Sequence, residues 1–248
     1  MPVVSTISDH IASIAFGGTK GNSLPADLLR ELAATIKATA KRAEVRVIVL
    51  RSEGEGPFCA GASFDELKAI KSKRAGKQFF LGFANVILAM IRAPKPVIVR
   101  VQGKAVGGGV GVVAAADYAI AVRAASVRLS ELAVGIGPFV VGPVIEHKIG
   151  RGAYSAISLD ADWRDADWAE RHGLYAAVTD SIPELDVAVS TFAAKLAAAN
   201  PDAVARIKRT VWEGTEDWAK LLDERAALSG TLVLSDFTRK AIEAFQKG

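Results

Sequence analysis

Apolar residues recur along this chain at two spacings. The short β-branched runs 11–16 (IASIAF), 45–50 (VRVIVL) and 97–101 (VIVRV) each predict a strand. Runs at 118–122 and 127–129 predict two more. After Pro25, whose missing N–H is harmless in a first helical turn, Leu28, Leu29, Leu32 and Ile36 recur with helical spacing. A long helical stretch runs from about 65 to 91 and stops before Pro94 and Pro96, and a short one covers about 108–116. Beyond 140 the pattern is mainly helical, with segments near 140–149, 152–159, 165–171, 184–199, 202–212, 216–229 and 235–246. Strands alternating with helices, then a helical tail, predict an α/β fold. The expected division is a core over 1–190 and a C-terminal helical extension over 191–248.

Of the 248 residues, 50% are hydrophobic and 23% charged, the profile of a soluble globular chain. Residues 1–16 lack the basic start and long apolar run of a signal peptide. The most apolar stretch, 105–122, is glycine-rich and interrupted by Asp117, so no membrane span is expected. The single cysteine, Cys59, cannot form an internal disulfide, which suits a cytoplasmic location. A net charge of +4 favours anionic partners only weakly. Lys68, Lys71, Lys73, Arg74 and Lys77 form the clearest basic cluster, either a solvated helix face or a contact for ligand phosphates. Nucleic acid is not expected, because no binding motif accompanies them.

Three segments carry candidate chemistry. Phe58-Cys59-Ala60-Gly61-Ala62 lies between a strand and a helix, where small side chains let a ligand approach backbone N–H groups; alone, it reads as a tight turn. The stretch 103–111, GKAVGGGVG, permits the same close approach or simple helix-on-sheet packing. Its Gly109-Val110-Gly111-Val112-Val113-Ala114 fits a dinucleotide fingerprint, but the helix is too short for a parallel crossover of about a dozen residues. In Leu129-Ser130-Glu131-Leu132, an apolar neighbourhood surrounds one carboxylate, which is either a surface glutamate or a general base tuned by burial. His10, His147 and His172 are scattered and no G-x-S-x-G elbow is present, so a Ser-His-Asp hydrolase is not supported. No metal site is expected either, for want of ligand spacing. Trp163, Trp168, Trp212 and Trp218 read as packing or subunit-interface residues.

In order and spacing these segments resemble the crotonase (enoyl-CoA hydratase/isomerase) superfamily, through nearly the whole chain. Gly21-Asn22-Ser23-Leu24 resembles its Asn-x-Leu turn, 58–62 its F-x-A-G-A segment, 105–109 its glycine triplet, and Ala116-Asp117 the Asp after a short apolar helix. Ser130-Glu131 with Gly135 and Pro138 resembles the segment bearing a catalytic carboxylate. The resemblance implies a crotonase-like spiral of ββα units with a C-terminal helical trimerisation region, giving a homotrimer or hexamer. It also implies an acyl-CoA thioester substrate, with no cofactor beyond the CoA of that substrate. Carried across, Glu131 moves protons, the Ala62 and Gly108 N–H groups form an oxyanion hole, and Ala60, Gly61, Ser63, Phe64 and Gly107 contact substrate. Residues 232–245, with Phe237 and Arg239, resemble the terminal helix that reaches a neighbouring active site.

The hydratase pattern is incomplete. Its first glutamate falls on Gly111, the Asp after A-G-A is replaced by Ser63 with Asp65 and Glu66 just beyond, and the position after Pro138 is Phe139. One acid, Glu131, remains. It suffices to take a proton from one carbon and return it to another, so double-bond isomerisation of an enoyl-CoA is the simplest expectation. Hydration with one glutamate, decarboxylation through the same enolate, and non-catalytic acyl-CoA binding are the alternatives.

Overall fold

The computed structural model describes residues 3–245. Among the described residues nine strands are present: β1 Val4–Ser8, β2 Ile11–Phe16, β3 Val47–Ser52, β4 Val97–Val101, β5 Ala105–Val106, β6 Tyr118–Val122, β7 Ser126–Arg128, β8 Arg164–Asp165 and β9 Ala177–Thr179. Six form one sheet in the order β1-β2-β3-β4-β6-β9, and β5-β7-β8 form a smaller one. In the large sheet only β1–β2 is antiparallel. Parallel strands are covered on both faces, which is why β3 and β4 read as near-continuous Val and Ile runs. A repeated unit is visible: β4, then β5, then helix Gly108–Ala114; β6, then β7, then helix Gly142–Ile149. After β3 the small-sheet step shrinks to Cys59, which bridges Ala105 in parallel. This is the expected α/β spiral of ββα units.

Three local expectations differ. The hairpin strand β1 escapes the apolar pattern because it is an edge strand with four of five residues exposed. Its turn carries Asp9 and His10 at φ 50° and 65°, the double left-handed geometry a two-residue hairpin needs, without the usual glycine. The helical stretch expected over 65–91 is two helices, Phe64–Ala69 and Lys73–Ile91. Ile70 turns extended, and Ser72 restarts the chain as an N-cap whose hydroxyl accepts from Ala75 N–H at 3.2 Å. Finally, the division placed at 190/191 falls inside helix Ile182–Ala198, which contacts β2, β3, β4, β6 and β9.

The C-terminal helices are tied to the sheet through Asp117. Its Oδ2 accepts from Val97 N–H and Lys208 Nζ, each at 2.7 Å, and its Oδ1 accepts from Trp212 Nε1 at 2.9 Å. Lys208 also donates to the carbonyls of Met90 and Lys95. Helix Lys73–Ile91 packs against helices Ala26–Ala40 and Trp218–Leu232, which places its Phe79 and Phe83 toward the site. Helix Asp236–Phe245 is anchored on its own chain where Thr238 Oγ1 donates to the Gly135 carbonyl at 3.2 Å.

Candidate active site

Backbone hydrogen bonds lace distant segments into one wall. Ala60 N–H donates to Gly21 O, Leu24 N–H to Gly61 O and Ser63 N–H to Leu24 O, so the 58–63 segment pairs with the 21–24 turn. On its other side Cys59 N–H donates to Lys104 O and Val106 N–H to Cys59 O. Asn22 holds the turn from within: it is buried, sits at φ 58°, accepts from Gly18 N–H and donates to the carbonyls of Glu53 and Pro57. The pairing with Leu24 uses Gly61 O and Ser63 N–H and leaves the intervening Ala62 N–H out. Gly108 opens helix Gly108–Ala114, where a first-turn N–H has no intrahelical acceptor. Among the described residues neither N–H has an acceptor.

Gly107 brings backbone against the carboxylate. Its φ of 52° with ψ −114° lies outside the space of residues with a Cβ. A Cβ there would stand 2.9 Å from Glu131 Oε1. Glu131 follows β7 and precedes the 3₁₀ turn Leu132–Val134. As a residue it is partly buried, yet its Oε2 is shut off from solvent and has no hydrogen-bond partner among the described residues. Burial pushes the carboxyl up from 4.5 to about 7, partly offset by its own backbone N–H.

One pocket holds Glu131 together with Ala60, Gly61, Ala62, Phe64, Gly107 and Gly108. Its remaining wall is almost entirely apolar, including Leu67, Phe79, Phe80, Phe83, Val134, Ile136 and Phe139 to Val141. A family model described as Enoyl-CoA hydratase/isomerase matches residues 6–246. The chain belongs to that enoyl-CoA hydratase/isomerase family. YngF of Bacillus subtilis strain 168, an enoyl-CoA hydratase/isomerase by name, is 30% identical over 97% of this chain and 93% of its own length. Mouse mitochondrial methylglutaconyl-CoA hydratase is 31% identical over 67% of this chain, which spans only 53% of that protein. The crystal structure of an enoyl-CoA hydratase from Bacillus halodurans superposes with a TM-score of 0.90 at 21% identity, covering 98% of this chain and 100% of the other, and shows the shared fold.

Against the family's two-glutamate pattern, the structure explains why Gly111 carries no acid. A Cβ there would lie 2.5 Å from Val141 Cγ1, so the valine occupies the space a side chain would need. Ser63, expected to contact substrate, is not among the pocket-lining residues; its hydroxyl accepts from Glu66 N–H at 3.4 Å and caps helix Phe64–Ala69. Glu66 is also engaged, accepting from Ala26 N–H at 2.9 Å at the start of helix Ala26–Ala40. The three histidine rings contact backbone carbonyls of Glu44, Val211 and Trp168, and none lines the pocket. Burial pushes the Cys59 thiol up to about 12, which keeps it protonated and unreactive. Trp212 and Trp218 are buried, pack edge to face and flank His147. Lys71, Lys73 and Arg74 are exposed, whereas Lys77 pairs with Asp223 at 2.7 Å.

Several pocket residues carry no sequence signal of function. Phe79 and Phe83 stand four apart on one helix, a spacing that predicts a buried face without saying it faces a cavity. Val141 and Ser229 are set by tertiary packing alone.

Proposed function

We propose that this protein binds an acyl-CoA thioester and shifts a double bond of an enoyl chain, with Glu131 as the only proton carrier. The observation that carries the reading is that Glu131 is the one ionisable side chain among the described residues lining the pocket, held near 7 with an unpaired oxygen. A group at that value is poised to take and return protons near neutral pH. The Glu131 carboxylate takes the proton from the α-carbon of a 3-enoyl thioester. The electron pair moves into the carbonyl, and the resulting dienolate oxygen accepts hydrogen bonds from Ala62 and Gly108 N–H. Glu131 then returns the proton to the γ-carbon. Losing one such fixed donor costs about 3–4 kcal/mol of barrier. No cofactor is needed beyond the CoA of the substrate, and the exposed Lys71, Lys73 and Arg74 are suited to its phosphates.

Hydration by Glu131 alone is the second reading, supported by relatives that carry hydratase names. We also propose assembly as a trimer or paired trimers: Ile207, Val211 and Leu228 on the C-terminal helices are exposed apolar residues of the kind an interface covers. The test is incubation with 2-enoyl- and 3-enoyl-CoA thioesters in D2O, followed by mass spectrometry. Shifted double bonds or deuterium exchange, both lost in Glu131→Gln, are expected. Hydrated product favours the second reading. Full activity of Glu131→Gln, or bound thioester with no exchange, overturns the proton-shuttle role.

A further inference from the structure

Four buried side-chain polar atoms lack a hydrogen-bond partner among the described residues: Glu131 Oε2, Ser158 Oγ, Tyr175 Oη and Ser229 Oγ. Only Glu131 and Ser229 also line the pocket. The proton shuttle accounts for the first. Ser229 asks for a different partner.

Ser229 lies in helix Trp218–Leu232, is 0% exposed, and does not return its hydroxyl to a carbonyl of the preceding turn, the usual outlet for serine in mid-helix. Its place in the helix is set by a tight helix crossing. The next residue, Gly230, crosses Gly76 so closely that a Cβ on Gly230 would stand 2.4 Å from Lys77 N, and one on Gly76 2.7 Å from Gly230 Cα. The crossing thus sets the Ser229 Cα beside a pocket whose wall includes Phe79, Phe80 and Phe83, and its buried hydroxyl has no partner there among the described residues. Alanine would suit an apolar acyl chain there without leaving a polar atom unpaired.

We infer that the acyl group this pocket accepts carries a neutral oxygen, a hydroxyl or ketone beyond the β-carbon, that pairs with Ser229 Oγ. This rests on the acyl-CoA reading above. The thioester oxygen is assigned to the Ala62 and Gly108 N–H groups, which leaves Ser229 to an oxygen elsewhere on the acyl group. It is uncharged, because among the described residues no Lys, Arg or His lines the pocket to neutralise a buried carboxylate. A serine hydroxyl both donates and accepts, so it serves either a ketone or an alcohol.

The test is calorimetric binding, which needs no turnover. Saturated hexanoyl- and octanoyl-CoA are compared with the same thioesters carrying one ketone or hydroxyl at each carbon beyond the β-carbon. At least one oxygenated thioester should bind about tenfold tighter than its parent, and that advantage should fall to near one in Ser229→Ala. A native protein that binds every oxygenated thioester no tighter than its parent overturns the inference without any variant. So does a preference that survives Ser229→Ala. Failure of every thioester to bind overturns both this inference and the acyl-CoA reading, whereas missing deuterium exchange in thioesters that do bind counts against the proton shuttle alone.

Discussion

Replacing Glu131 by glutamine should shift stability in the variant's favour as pH rises. The carboxyl sits at about 7 in the folded protein against 4.5 for an ordinary glutamate. Between those values the folded protein holds a proton that the unfolded chain has released. A raised carboxyl of this kind weakens the fold as pH climbs through the window, with the loss complete above about 7 and absent below 4.5. At about 1.36 kcal/mol per tenfold change, the ionised, buried carboxylate costs about 3 kcal/mol. Glutamine has the same shape and never ionises. Its amide leaves an unmade hydrogen bond where Oε2 stands, but that penalty does not vary with pH and cancels when the variant's advantage is compared at two pH values. The advantage of Glu131→Gln should grow by about 3 kcal/mol from pH ~4.5 to pH ~8, or about 6–12 °C in Tm for a chain of this size. Thermal melts of both proteins at the two pH values measure it. An equal gap at both would mean that Glu131 does not titrate from a buried site, and the general-base argument would lose its physical footing. The same variant should lose proton exchange by about 10²- to 10⁴-fold.

The pH dependence of kcat/KM should rise about tenfold per pH unit up to a midpoint near 7 and then level, because the carboxylate form is the base; a flat profile from pH ~5 to ~8 would point to another group. Gly107→Ala places a Cβ 2.9 Å from Glu131 Oε1 in a backbone conformation that alanine resists, and should cost about 100-fold in turnover, read by the exchange assay. Gly111→Glu should not install a second acid: with Val141 Cγ1 2.5 Å from the new Cβ, overpacking should cost about 1–3 kcal/mol by denaturant titration, partly recovered by adding Val141→Ala. Asp117→Ala leaves the buried Lys208 without its ion partner and should cost about 3–5 kcal/mol, with Lys208→Met in the same chain restoring part of it.

What the sequence disclosed and what it concealed follow the same physics. The strands 11–16, 97–101 and 118–122 match their runs residue for residue, because strands covered on both faces of a parallel sheet are near-continuously apolar, with Ser13 and Arg100 at partly exposed positions. β1, β5, β8 and β9 have two to five residues, mostly exposed or half-buried, so no period builds up. The glycine-rich turns were visible as turns; their meeting with Glu131 was implied by the family resemblance and is set in space by hydrogen bonds such as Gly107 N–H to Arg128 O, which no local pattern contains. Ser63 shows the converse. The family resemblance implied substrate contact for Ser63, but a serine three residues before Glu66 N–H is equally an N-cap, and capping is the use its hydroxyl finds.

Position 111 ties the two levels together. Read from sequence, glycine there is only a missing acid; in three dimensions it is one half of a packed pair with Val141, whose methyl stands where a glutamate stem would start. An enzyme that had merely lost its acid would leave a gap at this place, open to water or to a restored carboxylate. Here a buried valine fills that space, and Val141 is one of the apolar residues that line the pocket with Glu131. For the proposed isomerisation, an apolar wall is the setting that keeps water from competing for a dienolate and keeps a lone carboxyl raised, two conditions a one-base proton shuttle needs and a two-acid hydration does not.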